Sequence, residues 1–295
     1  MTAKTLLLAA LALTVTTFLA LWFRRLRGAS PGRPSPLELF VGFVTNFFDT
    51  LGIGSFAPST AWIKFRHLVP DSFIPAILNV GHSLPTIAQS AIFLVILGVN
   101  VDPVLLASCI ISAVLGALVG APLVVRAPVR LVQTVVGVAL LIAACLYAMS
   151  NLNLMPIGGS ATALPAMEMG IAIAVHFLLG ALMAFGIGLY APSLILLSLL
   201  GLDPRLAFPI MASACAFLMP TTGFSFMKSK RIDMRLAIGM AIGGIPAVLL
   251  AAFVVKEMPI IWLRWGVVVV VLYAAFLLLR SAFRDGPVTT AESTR

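Results

Sequence analysis

The sequence predicts an all-α polytopic membrane protein made of two inverted repeats. Each repeat is a broken or re-entrant helical hairpin followed by three transmembrane helices, and one extra helix precedes them. Three observations predict this. The 295 residues are 61% hydrophobic and 10% charged, with a mean hydropathy of +1.13. Several apolar runs reach the roughly 20 residues that span a bilayer, and the short alternating strands of a membrane β-barrel are missing. Finally, two octapeptides nearly repeat: Gly52-Ile53-Gly54-Ser55-Phe56-Ala57-Pro58-Ser59 and Gly186-Ile187-Gly188-Leu189-Tyr190-Ala191-Pro192-Ser193, offset by 134 positions. Helix-breaking pairs at matching places in two hydrophobic halves point to a transporter's substrate site.

In chain order, the first apolar run covers 5–23 and is followed by Arg24, Arg25 and Arg27. A cleaved signal peptide carries its positive charge before the apolar run, so an uncleaved helix with its N-terminus outside is expected. With the Pro- and Arg-rich linker it forms segment 1–36. Repeat 1 occupies 37–150, with apolar stretches at 37–63, 72–98, 103–123 and 129–149. A linker without basic residues, 151–167, joins it to repeat 2, 168–283, with stretches at 168–200, 205–227, 234–255 and 260–280. Residues 284–295 form a cytoplasmic tail. Further pairs support the repeat: Pro75 with Pro209, Pro85-Thr86 with Pro220-Thr221, and Asp102 with Asp233.

The formal net charge of +9 raises a nucleic-acid partner, but the basic residues sit in short clusters between apolar runs, so none is expected. If 37–63 and 168–200 each dip in and return, 15 of the 19 Lys and Arg residues lie inside and 4 outside. If each crosses once, the division is 11 to 8. The positive-inside rule favours the hairpins, in the cytoplasmic (inner) membrane, with seven full crossings and a cytoplasmic C-terminus.

At mid-depth the half-helix after each Gly-x-Gly break would present free N–H groups and the positive end of its dipole, which favours an anion. The candidate binding residues are Gly52, Gly54, Ser55, Ser59 and Thr60 at the first break, and Gly186, Gly188, Tyr190 and Ser193 at the second. Packing glycines are the alternative reading. The segments that follow add Asn79, His82, Ser83 and Thr86, then Ser213 and Thr221; Pro85 and Pro220 are expected to open their helices. These polar faces line either a cavity or an interhelical seam. Asp49 is the acidic residue at depth. It serves either proton coupling, since burial favours the neutral acid, or the hold on the break. Met183 stands at its repeat-related position. His176 is expected at the membrane interface and His67 in a solvated basic loop.

Cys109, Cys145 and Cys215 have neither disulfide nor metal spacing and are expected to pack. No cofactor, metal or enzymatic constellation is expected. Ser55, His82 and His176 can be drawn as a serine dyad, but nothing fixes a nucleophile beside a base.

Gly42-Phe43, the run Leu51-Gly52-Ile53-Gly54 to Pro58, and its partner Gly186 to Pro192 resemble the TauE/SafE-type sulfite exporter family, also called the sulfonate uptake permease (TSUP) family. The resemblance spans about 37–283. Ser55 and Leu189 stand where many members carry a third glycine. The resemblance implies a small oxyanion such as sulfite or an organosulfonate. The expectation is therefore a secondary carrier, an exporter working by alternating access, with protons as coupling ion and a monomeric or homodimeric state left open. A passive anion channel and a membrane enzyme acting on lipid are the rivals.

Overall fold

The computed structural model describes residues 3–27, 32–96, 101–154, 159–229, 231–253 and 260–284. Of the basic residues used for orientation, Lys230, Lys256 and Arg295 lie outside these, as does the tail beyond Arg284. The helices are α1 (Ala3–Arg27), α2 (Pro36–Thr50), α3 (Phe56–Phe65), α4 (Ile74–Gly81), α5 (Ser83–Ile96), α6 (Pro103–Arg126), α7 (Val129–Asn151), α8 (Ala166–Ala184), α9 (Tyr190–Leu199), α10 (Pro204–Lys228), α11 (Met234–Phe253) and α12 (Ile260–Arg284). Among the described residues α1, α6, α7, α8, α10 and α11 are each long and apolar enough to cross a membrane. Side chains such as Leu115, Val119, Ile142 and Phe276 are exposed on the outer faces, where lipid would cover them.

Both Gly-x-Gly segments interrupt their helices, and by the same device. After α2, Gly52 takes φ +87°, its N–H bonds Asp49 O at 2.9 Å, and the Ile53 N–H bonds Phe48 O at 3.1 Å. After α8, Gly186 takes φ +97°, its N–H bonds Met183 O at 2.9 Å, and the Ile187 N–H bonds Leu182 O at 3.4 Å. Each is a Schellman closure, which caps helix-end carbonyls and demands a left-handed residue. The halves are unequal in length: α2 has 15 residues and α3 10, whereas α8 has 19 and α9 10.

The repeat extends to the helix caps. Asp102 accepts from the Leu105 N–H at the start of α6, and Asp233 accepts from Arg235 and Leu236 at the start of α11. The second half-helices, α3 and α9, close alike: His67 and Gly201, again 134 positions apart, both stand at positive φ, +50° and +90°. In α2 a capping box holds the N-terminus, since Ser35 and Glu38 each bond the other's N–H.

The helix before the first break, α2, lies on α11, and the helix before the second break, α8, lies on α6. The seams work because small residues let backbones meet. A Cβ on Gly42 would come 2.3 Å from Met240 O, and one on Gly243 2.0 Å from Leu39 O. Across the other seam a Cβ on Gly180 would fall 2.0 Å from Ala113 O, and one on Gly116 1.9 Å from Phe177 O. The α4–α5 unit packs on α10, and α7 on α12. The extra helix α1 docks on α10 and α5, with fully buried Phe18 seated against Gly223.

Two expectations need correction. Pro85 and Pro220 do not act alike. The first unit is interrupted at His82, just before Pro85, but α10 runs unbroken through both Pro209 and Pro220. Thr221 and Thr222 bond Phe217 O and Met219 O beside Pro220, giving polar support where the proline removes a donor. Lys64, counted among the loop cations, is buried. Its Nζ bonds Asp71 at 2.5 Å and Ser281 Oγ at 3.3 Å, and Gln133 Nε2 bonds the same Asp71 oxygen at 2.9 Å. The cluster ties α3 to α7 and α12.

His67 holds a left-handed conformation for which its repeat partner uses glycine, and its side chain is exposed. Relief of that strain exceeds the entropy that glycine adds to the unfolded chain. His67→Gly should therefore raise stability by about 0.5–1 kcal/mol, read as a higher midpoint in thermal unfolding of the detergent-solubilised protein; a lower midpoint refutes it.

Candidate functional site

The two breaks converge. Gly54 and Ser55 from the first, and Gly188 and Leu189 from the second, line one cavity of about 20 Å³. That is room for a single water-sized guest. Ser55 and Leu189 precede α3 and α9 in helical conformation and neither caps its helix with a side chain. Neither half-helix thus has its first-turn N–H groups capped by its own N-cap side chain. Pro58 and Pro192 stand third in their helices, where a missing N–H does no harm.

Asp49, Thr86 and Tyr190 also line the cavity, and Met183, Cys215 and Met219 close it. No Lys, Arg or His is among its lining residues. Ser55 presents both its hydroxyl and its backbone N–H to the buried Asp49 carboxyl. Tyr190 is 7% exposed, yet its hydroxyl has no hydrogen-bond partner, and it lies within electrostatic reach of Asp49 and Cys215. Gln89 Nε2 approaches Asp49 O at 3.4 Å, and Gln89 Oε1 is buried without a partner.

One turn into each half-helix a serine is tied to a buried histidine. Ser59 Oγ lies 2.8 Å from His82 Nε2, and His82 Nδ1 lies 3.0 Å from Asn46 Oδ1. Asn46 Nδ2 bonds Gly42 O at 2.7 Å, which leaves its oxygen toward the ring. A neutral His82 thus donates from Nδ1 and accepts from Ser59 at Nε2. In repeat 2, Ser193 Oγ lies 2.9 Å from His176 Nε2, and His176 Nδ1 faces Ala172 O at 2.8 Å. The serines are repeat-related; the histidines are not, since His82 sits between α4 and α5 and His176 on α8. His176 is fully buried within the hairpin rather than at an interface, because Ser193 and its own helix satisfy both ring nitrogens.

Asn79 joins the repeats. Its Nδ2 bonds Pro75 O at 2.9 Å and Met183 O at 3.1 Å, and its Oδ1 accepts from Thr222 at 3.0 Å. Ser83 bonds Asn79 O at 2.6 Å, and Ser90 meets Ser213 at 3.2 Å.

Of the residues expected from sequence, Gly54, Ser55, Thr86, Gly188, Tyr190 and Asp49 meet at the cavity. Gly52 and Gly186 form the helix closures instead. Thr60 and Thr221 bond their own helices at Phe56 O and Phe217 O. Ser59, Asn79, His82, Ser83, Ser193 and Ser213 make the flanking seams. Sequence reasoning missed Asn46 and Thr222, polar residues inside apolar helices, and the pair Cys215 and Met219, whose spacing of four places both on one face of α10.

Residues 168–295 match the family model of the sulfite exporter TauE/SafE. The matched stretch contains the second break, Gly186 to Pro192, one of the segments that carry the resemblance. This is a multi-pass membrane protein, and its residues 168–295 are similar to the sulfite exporter TauE/SafE family. No curated protein and no solved structure matches the chain.

Two outcomes test the geometry. Asn79→Leu removes the bridge to Met183 O, which keeps only the Gly186 N–H, and the acceptor of the Thr222 hydroxyl, so it should cost about 1–3 kcal/mol of stability; an unchanged unfolding midpoint would show the bridge to be dispensable. Gly188→Ala should fold normally, because Gly188 is not at positive φ and its Cβ would meet only Phe56 Cβ at 3.7 Å, whereas Gly54→Ala, at φ +88°, should lose about 1 kcal/mol. Equal midpoints for the two variants would contradict this difference.

Proposed function

We propose that this protein is a secondary transporter of a small anion, sulfite, an organosulfonate or a similar oxyanion, and that it exports it from the cytoplasm by alternating access. One observation carries the reading: two half-helix N-termini and the unpartnered hydroxyl of Tyr190 border a single cavity. Helix N-termini and a phenolic donor stabilise an oxyanion without a cation. Binding of that kind is modest, which suits a carrier that must release its cargo. The cavity of about 20 Å³ is too small for an oxyanion, so the breaks must part to load it.

The repeats are inverted in this proposal, with hairpins α2–α3 and α8–α9 entering from opposite sides of the inner membrane. The reciprocal packing of α2 on α11 and α8 on α6 supports a two-fold relation between the halves. The N-terminus lies outside and the C-terminus inside. Asp49 carries the coupling proton: it borders the cavity with no cation beside it, so an anion enters when the carboxyl is neutral.

A passive anion channel is the other transport reading. The Ser59–His82–Asn46 chain has the connectivity of a hydrolytic triad, but Ser59 is fully buried and does not line the cavity between the breaks, which favours a holding role.

Counterflow in proteoliposomes separates the transport readings. Internal sulfite or sulfonate should accelerate uptake of labelled substrate several-fold; no acceleration supports a channel, and no flux with any anion removes the proposal. Asp49→Asn should abolish dependence on a pH gradient while protein remains in the membrane. Arg66 is exposed beside buried Lys64, so a thiol in Arg66→Cys should be labelled only from the cytoplasmic side. Labelling from outside overturns the hairpin topology.

A further inference from the structure

Away from the two breaks, the extra helix α1 forms a second polar feature against α10. A cleft of about 600 Å³ is lined by Thr17, Leu21, Arg24 and Arg25 of α1 and by Phe224, Met227 and Lys228 of α10. The spacings of three and four place each set on one face of its helix. Both faces change character in the same direction. Thr17, Leu21 and Phe224 come first, and the cations come at the helix ends. Thr17 is already satisfied, since its hydroxyl bonds Leu13 O at 2.8 Å. Both helices are long and apolar enough to cross a membrane, so the basic end of the cleft lies at the membrane surface.

No acidic side chain is among the described lining residues, and among the described residues none of the three cations has an ion-pair partner. Arg24 and Lys228 are exposed. Arg25 is half-buried, and its Nε is buried without a hydrogen-bond partner. A cation in a last helical turn suits the helix dipole, and that alone accounts for exposed Arg27. It does not account for a buried guanidinium donor left unsatisfied, or for cations of two helices gathered around one cleft. An anion in the cleft answers both.

We propose that this cleft binds an anionic phospholipid, with its phosphodiester at Arg24, Arg25 and Lys228 and the start of an acyl chain along Leu21 and Phe224. The order of the lining favours a lipid over a soluble phosphate. The walls are apolar toward the bilayer interior and cationic toward the helix ends, as a phospholipid is. The charge of the lining favours an anionic head over a zwitterionic one, because a choline or ethanolamine group would meet three cations. Basic pockets between transmembrane helices recognise lipid head groups in this way, and the arginine fork matches phosphate. The bound lipid joins α1 to α10, the helix that carries Cys215 and Met219 to the cavity.

The test titrates the full-length protein in detergent with phosphatidylglycerol, phosphatidylcholine and glycerol 3-phosphate. Bound lipid is read by native mass spectrometry and stability by the thermal midpoint. Phosphatidylglycerol should bind and raise the midpoint at concentrations where the other two do neither. Arg24→Gln and Lys228→Gln, both at exposed positions, should each weaken that binding about fivefold, and Arg25→Gln should weaken it more. Arg27→Gln removes a cation of the same last turn that does not line the cleft, so it should leave binding unchanged. Phosphatidylcholine that binds equally well overturns the anionic head. Glycerol 3-phosphate that displaces the lipid at equal concentration makes this a soluble phosphate site and overturns the lipid. If Arg27→Gln weakens binding as much as Arg24→Gln, only diffuse positive charge attracts the lipid and the assignment fails. Unchanged binding in Arg24→Gln and Lys228→Gln refutes it as well.

Discussion

Backbone N–H and C=O groups cannot be left bare at membrane depth, and the rest of this structure depends on how two helix breaks meet that demand. Gly52 and Gly186 turn their own amides back onto the preceding helices, so the carbonyl ends of α2 and α8 are closed internally. Neither Ser55 nor Leu189 caps its half-helix with its own side chain, and the Ser55 N–H meets the Asp49 carboxyl instead. Both amide ends face the shared cavity.

Holding two open helix ends together needs rigid support, and the protein supplies it from the opposite repeat. The helices before the breaks are locked into glycine seams on α11 and α6, close enough that any Cβ would collide with backbone. Serines at the second turns are tied to histidines, and Asn79 bridges both halves through Met183 and Thr222. In a dry interior these hydrogen bonds carry unusual weight, because the alternative is an unpaired polar group. The two histidines occupy unrelated positions, so the halves reached the same support by different residues.

Much of this arrangement was legible in the residues. The 134-residue offset located both breaks and the prolines of the first turns, and an offset of 131 matched the helix caps at Asp102 and Asp233. These signals are local: glycine at a closure, proline near a helix start and aspartate at an N-cap each act through their own backbone. The family resemblance stated on Gly186 to Pro192 falls within the stretch that matches TauE/SafE. Less was legible wherever a partner lay far along the chain. Proline predicted an opening at Pro220, yet nearby threonines support a continuous helix there. Position alone placed Lys64 among the loop cations and His176 at an interface, but Asp71 and Ser193 hold both inside.

The sequence by itself determined the membrane class and the sites of interruption, because composition and backbone chemistry act residue by residue. Only the tertiary structure decided which of the polar residues share the cavity. Asp49, Thr86 and Tyr190 reach it, while Ser59, Asn79 and His82 are spent on seams. Convergence of this kind arises from helices of opposite repeats packing across one another, and no local rule records which distant residues that packing brings together.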